Sequence, residues 1–247
     1  ARPVREGESM RLSMPSSYGA FRCLVERSFA FLLLTVAALM SLLAVPPVNP
    51  PAAAAQTMKP LKLAVLGDSL TAGYGLPLSA AFPAKLEKAL RAKGFQVEIL
   101  NAGVSGDTST GGRDRVDWSI PDGTDAVIVE LGANDTLRGL DPKVTRDALD
   151  EIVKKLKARG MAVMLAGMYA PRNYGPDHVA QFDAIYPDLA KAHDIPLYPF
   201  FLDGVAGESR LNQGDGLHPT AEGIDTIVER ILPAIESFVT TVSAHRR

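Results

Sequence analysis

The sequence predicts an α/β protein whose parallel sheet is covered by helices on both faces. Five short apolar runs alternate with stretches of helical periodicity between residues 61 and 242, the pattern that yields parallel strands. Right-handed crossovers then put helices on each side of the sheet. The chain also has the material for one large core, with 247 residues, 47% of them hydrophobic and 22% charged.

The elements follow in order. Residues 61–66 are apolar and end at Gly67, so they read as a buried strand. Residues 81–93 carry Phe82, Leu86 and Leu90 at helical spacing, with Gly94 as the stop. Residues 95–100 alternate enough for a second strand, and 107–116 suit a short helix with a polar start. The run 126–131 is a continuous apolar strand. An amphipathic helix covers 142–159 and stops at Gly160; a buried strand covers 161–168. Residues 182–193 form a helix interrupted near Pro187, and 195–200 form a short last strand. Residues 219–242 are the closing helix, with Pro219 near its first turn.

Residues 58–247 read as one domain without internal repeats, and 1–57 as an N-terminal extension, signal and linker. Arg22 and Arg27 precede an apolar run over 29–45; prolines follow, then Ala52-Ala53-Ala54-Ala55. A basic flank, an apolar stretch and a small-residue site are the layout of a secretory signal. The expected destination is the periplasm or the exterior, with no membrane span in the mature form; an uncleaved anchor is the alternative. Cys23, the sole cysteine, precedes the apolar run, so residues 58–247 hold no disulfide, thiol nucleophile or cysteine metal site. A net charge of −2 gives no basic surface for nucleic acid. The expected state is a monomer.

Four short motifs carry the chemistry: Gly67-Asp68-Ser69-Leu70, Asn101-Ala102-Gly103, Gly132-Ala133-Asn134-Asp135 and Asp215-Gly216-Leu217-His218-Pro219. The first three follow the first three strands, so Ser69, Gly103 and Asn134 meet beyond the carboxyl ends of a parallel sheet, where such folds bind ligands. Ser69 supplies a hydroxyl that needs a base to become a nucleophile. His218 is that base, and Asp215, three residues earlier, can fold back to orient the ring. The N–H groups of Ser69 and Gly103 and the Asn134 carboxamide are donors for a tetrahedral oxyanion.

Singly, each motif has a plain structural reading. Ser69 could cap a helix, Gly103 and Asn134 could be loop punctuation, and Asp215 to His218 a turn before a helix. The set in one order is what carries the reading. Thr71 stands where a Gly-x-Ser-x-Gly elbow requires its second glycine, which argues against an ordinary α/β-hydrolase. Asp68 holds the turn by local hydrogen bonds. His178, His193 and His245 lack partners at useful spacing. Asp122 and Asp125 flank a solvated turn, the cations at 154, 155, 157 and 159 form a solvated helix face, and Trp118 and Phe182 are packing residues.

With these residues in view, the chain resembles the SGNH (GDSL) hydrolases, whose family name matches Ser69, Gly103, Asn134 and His218. It is closer still to the bacterial periplasmic branch of thioesterase I, protease I, arylesterase and lysophospholipase. The carriers are residues 67–74, 101–108 and 129–135 together with Asn173-Tyr174-Gly175 and Ile185-Tyr186-Pro187. Ala133 departs from the glycine frequent there. The resemblance implies a three-layer α/β/α, flavodoxin-like parallel sheet and a serine mechanism without metal or cofactor. It implies small-molecule ester or thioester substrates bearing acyl or aryl groups, including lysophospholipids. It also implies that Leu76, Pro77 and Leu78 and the segment with Tyr169, Pro171 and Tyr174 border the acyl groove. A carbohydrate O-deacetylase with the same residues, and a non-catalytic lipid- or glycan-binding protein, are the alternatives.

Overall fold

The computed structural model describes residues 59–246. The expected signal, its apolar run and Cys23 lie outside the described residues, as does the boundary at 57/58.

Five parallel strands, β1 (Leu61–Gly67), β2 (Val97–Gly103), β3 (Ala126–Glu130), β4 (Ala162–Ala166) and β5 (Leu197–Tyr198), form one sheet in the order β2-β1-β3-β4-β5. That is the flavodoxin-like order, which reverses direction at β1 and opens a crevice between β1 and β3 at their carboxyl ends. The central strands are apolar at nearly every position because both faces are covered; every β3 residue is buried. β2 lies at the edge, and only its first residue, Val97, is buried, so it needs no continuous apolar run.

The helices are α1 (Ser69–Ala72), α2 (Phe82–Ala92), α3 (Ser109–Ser119), α4 (Ala133–Leu137), α5 (Pro142–Ala158), α6 (Pro176–Asp183), α7 (Ile185–His193) and α8 (Ala221–His245). α2 packs on α8, while α3, α5 and α7 pack in series, as crossovers to opposite faces require. Phe82, Leu86 and Leu90 of α2 are fully buried, as their spacing predicts. Ile224, Ile227, Val228 and Ile231 give α8 the same kind of inner stripe.

Several expectations need correction. β2 starts two residues later than predicted and runs to Gly103, and β5 keeps only two residues of its apolar run. α6 was not expected: residues 176–183 are mostly polar outward, and Phe182 is their one buried side chain. Pro187 does not interrupt a helix. It lies in the first turn of α7, where a missing N–H goes unnoticed, and the break falls at Ala184. The closing helix starts at Ala221, because the Thr220 hydroxyl caps it by accepting from Gly223 N–H. Pro219 instead pairs with Asn212 in an isolated antiparallel bridge. Trp118 is 74% exposed on the outer side of α3, whereas Phe182 is fully buried.

Candidate active site

Ser69 is the first residue of α1, directly beyond β1. The helix starts there because Asp68 caps it: Asp68 Oδ1 accepts from Leu70 N–H at 2.9 Å. Gly73 closes the helix in the left-handed conformation after a single turn. The serine is thus held on a short, doubly terminated element at the sheet edge, with little of its surface exposed.

His218 arrives from the loop before α8, 149 residues away, with Nε2 at 2.9 Å from Ser69 Oγ. Its Nδ1 lies 2.6 Å from Asp215 Oδ2. The other Asp215 oxygen accepts from the N–H groups of Leu217 and His218, at 2.9 and 3.0 Å. The three-residue spacing therefore folds into a turn that presents the carboxylate to the ring. The backbone N–H and ring of His218, then the Leu217 N–H, hold the Asp215 carboxyl well below the usual carboxylate range, so it stays charged. A carboxylate on Nδ1 leaves Nε2 to accept from the serine hydroxyl. The Tyr74 ring lies 4.4 Å from the His218 ring.

Asn134 lies in α4, beyond β3. Its Nδ2 donates to Asp68 Oδ2 at 3.1 Å and to the Asp107 carbonyl at 2.9 Å. Gly103 N–H donates to Asn101 Oδ1 at 3.0 Å. A side chain at Gly103 would strike the Ala72 backbone and the Asp68 carbonyl, so the glycine lets α1 lie on the end of β2.

Beneath these groups lies a polar frame whose long-range connections leave no trace in the sequence; only the local hold of Asp68 on its turn was expected. Arg115 is buried and donates to the Gly67 and Ala102 carbonyls at 2.9 and 2.8 Å and to Asp107 Oδ2 at 2.6 Å. Asp135, fully buried, accepts from the Ser109 N–H and hydroxyl and from Thr145 Oγ1. Asp68 is fully buried as well; desolvation, opposed by its bonds to Leu70 and Asn134, raises its pKa to about 6. Asp68 and Asp135 stand in the motifs, Asp68 as a holder of the turn, whereas Arg115 leaves no local signal inside its polar helix.

A cavity of about 430 Å³ opens beside Ser69 and His218. Of the six predicted groove residues, Tyr169 and Pro171 line it. Leu76, Pro77, Leu78 and Tyr174 do not. Leu76 packs on the core and Leu78 projects into solvent. Tyr174 instead donates its hydroxyl to the Leu137 carbonyl. Met168, Phe200, Leu202 and Leu217 belong to its apolar wall, and Phe200 stacks on Tyr169. Leu217 was legible as a neighbour of His218; Phe200 was hidden in an apolar run.

The remaining histidines and acids are placed elsewhere. His193 does have a partner, Asp150, at 2.6 Å across α5 and α7, which spacing along the chain could not reveal. Asp125 is tied to Lys62 N–H and Arg246 rather than solvated, and Asp122 meets Arg159. Lys154, Lys155 and Lys157 also have partners, in Asp150, Asp117 and the His193 carbonyl. Among the described residues no group of three or more His, Cys, Asp or Glu is placed to hold a metal ion, and no helix is long and apolar enough to cross a membrane.

A serine, an imidazole and a carboxylate in hydrogen-bonded series beside amide donors define a hydrolase-type centre on a flavodoxin-like sheet. Residues 65–225 match the GDSL-like Lipase/Acylhydrolase family. The chain is 38% identical over 188 residues to Esterase TesA of Pseudomonas aeruginosa, covering 76% of this chain and 91% of that protein. It is 39% identical over 189 residues to Thioesterase 1/protease 1/lysophospholipase L1 of Escherichia coli K12, covering 76% and 87%. Among solved structures it resembles AlinE4, an SGNH-hydrolase family esterase, at 44% identity and a TM-score of 0.62, covering 72% and 96%. The chain belongs to the GDSL (SGNH) lipase/acylhydrolase family.

Proposed function

We propose that this protein is a serine esterase that hydrolyses carboxylic esters and thioesters through an acyl-enzyme. The observation that carries the reading is the hydrogen-bonded series from Ser69 Oγ to His218 (2.9 Å) to Asp215 (2.6 Å), at the mouth of an apolar cavity. Ser69 Oγ attacks the acyl carbonyl as His218 Nε2 takes its proton, and Asp215 stabilises the resulting imidazolium. The oxyanion accepts from the N–H groups of Ser69 and Gly103 and from Asn134 Nδ2. For Gly103 and Asn134 it competes with their acceptors in the structure, Asn101 Oδ1, Asp68 Oδ2 and the Asp107 carbonyl. His218 then gives the proton to the departing alcohol or thiol, leaving the acyl group on Ser69. Water attacks that ester with His218 again as base, and Ser69 leaves as the hydroxyl.

The cavity favours acyl or aryl groups larger than acetyl. It falls in the range of small-ligand sites, and its walls of Met168, Phe200, Leu202 and Leu217 offer little to a sugar. Relatives named esterase and lysophospholipase support the same substrate class. The basic, apolar and small-residue layout before residue 58 supports export to the periplasm or beyond, with cleavage leaving a mature form free of that apolar run. There, lysophospholipids and foreign esters are closer to hand than acyl-CoA.

The test is hydrolysis of p-nitrophenyl esters from acetate to palmitate, beside Ser69→Ala. The expected optimum lies beyond acetate, and the variant should lose on the order of 10⁴-fold or more in kcat. An optimum at acetate would favour the deacetylase reading, and a folded wild type inactive on every ester would favour a binding protein.

A further inference from the structure

Glu130 is the last residue of β3 and is fully buried. It is the register partner of Gly67, one strand away and two residues before Ser69. Its Oε2 accepts from the Thr71 hydroxyl at 2.7 Å, and the N–H groups of Asp68 and Thr71 also face the carboxyl. Its other oxygen, Oε1, has no partner. The mechanism above does not use it.

The donors explain why a carboxyl stands there. A helix leaves its first N–H groups without partners, and α1, with four residues, is almost all N-terminus. Asp68 satisfies one of them, the Leu70 N–H. The N–H groups on either side belong to Asp68 and Thr71, both fully buried and beside the Glu130 carboxyl. Glu130 faces both from the neighbouring strand, much as the returning carboxyl of a capping box does from within a helix, and it accepts from the Thr71 hydroxyl of the same turn. The fit is close: a side chain at Gly67 would strike both Thr71 Oγ1 and Glu130 Oε2.

We propose that Glu130 is a positioning residue for Ser69, gripping the turn on both sides of the nucleophile as an uncharged carboxylic acid. The uncharged state follows from the surroundings. Asp68, an ionisable neighbour, is also a buried acid, Tyr186 is a buried phenol within reach of both, and no cation bonds to either oxygen of Glu130. Arg115 reaches the same turn but donates to the Gly67 carbonyl. A second negative charge here would lack both solvent and a counter-ion. Burial, with the Asp68 charge added, pushes the Glu130 carboxyl well above its usual range. The pair thus carries one charge, and Asp68 is the better seat for it: burial opposes the charge at both, but Leu70 N–H, Asn134 and His218 face Asp68, and Asp107 alone adds a like charge there. An uncharged acid still offers a carbonyl oxygen to the turn.

This rests on Ser69 being the nucleophile, and the test separates the two claims. Each protein is titrated with a p-nitrophenyl alkylphosphonate, and kcat and KM are measured per labelled Ser69. Failure to label Ser69 in the wild type would remove the nucleophile and this proposal with it. Given labelling, Glu130→Gln keeps the shape and an acceptor oxygen without a charge, and should stay within about threefold of wild-type kcat. Glu130→Leu leaves the turn donors unpaired and should lose about 10- to 100-fold in kcat with KM changed less than about threefold, as a nucleophile displaced by a fraction of an ångström requires. A Leu variant with wild-type kcat per labelled site, however few sites are labelled, would overturn the proposal by reducing Glu130 to a stability role. Gln falling as far as Leu would overturn the uncharged state. Should the Leu variant not fold, Thr71→Val takes its place, with a several-fold loss in kcat that Thr71→Ser restores; wild-type kcat in Thr71→Val would then contradict the grip.

Discussion

Asp68 does two things that oppose one another. As an ion it is a good acceptor, aligning the Asn134 amide and capping the helix of the nucleophile. As a buried ion it is costly, and desolvation raises its pKa to about 6. A carboxyl that is harder to ionise folded than unfolded contributes most to stability at low pH. That contribution fades as pH rises from about 4 through about 6, by roughly 3 kcal/mol for a shift of this size. Asp215 has the opposite sign: its lowered pKa contributes stability above the ordinary carboxylate range, lost as the solution becomes strongly acidic. Two outcomes are expected. In thermal melts, Asp68→Asn should gain on the wild type as pH rises from 4 to 7; a flat difference would mean Asp68 ionises freely. In turnover, the same variant should lose about 10- to 100-fold, because its amide nitrogen faces the Asn134 nitrogen. Asn134→Ala, which removes the donor outright, should lose about 100- to 1,000-fold in kcat with the fold intact. Normal turnover in that variant would take Asn134 out of the mechanism.

Among the elements, the ends of β1 and β2 are what the site depends on, and Arg115 of α3 ties them together. Its guanidinium joins the Gly67 and Ala102 carbonyls to Asp107, whose own carbonyl holds Asn134. Arg115→Met should leave Asp107 and two carbonyls without their donor, at about 3–5 kcal/mol, and lower the urea midpoint accordingly. An unchanged midpoint would show that the tie is dispensable. Arg115 was not legible in the sequence, where it is one cation among several in a polar helix. What was legible was periodic: the runs in β1, β3 and β4 and the faces of α2, α5 and α8 have the period that their burial imposes. α6 escaped because it buries little, and the extent of β5 because only Leu197 and Tyr198 of its apolar run keep register with β4. Pairs such as His193 with Asp150, or Glu130 with Thr71, join residues 43 and 59 positions apart and leave no local trace.

For the whole molecule, one end of one sheet collects the chemistry. β1 delivers Ser69, β2 Gly103, β3 Asn134, and the loop before α8 returns Asp215 and His218 to meet them. The convergence of the first three was readable, because parallel strands share a carboxyl end. The return of His218 was readable only through motif order, and the cavity wall hardly at all, since Met168, Phe200 and Leu202 look like core until the fold leaves one side of them open. The central claim is that Ser69 is the nucleophile activated by His218. The most direct measurement is mass spectrometry of the protein after reaction with an alkylphosphonate ester. The expected result is one adduct, on the peptide bearing Ser69, formed in step with the loss of esterase activity and much more slowly in His218→Ala. Complete inactivation with Ser69 unmodified, or labelling at full speed without His218, would contradict it.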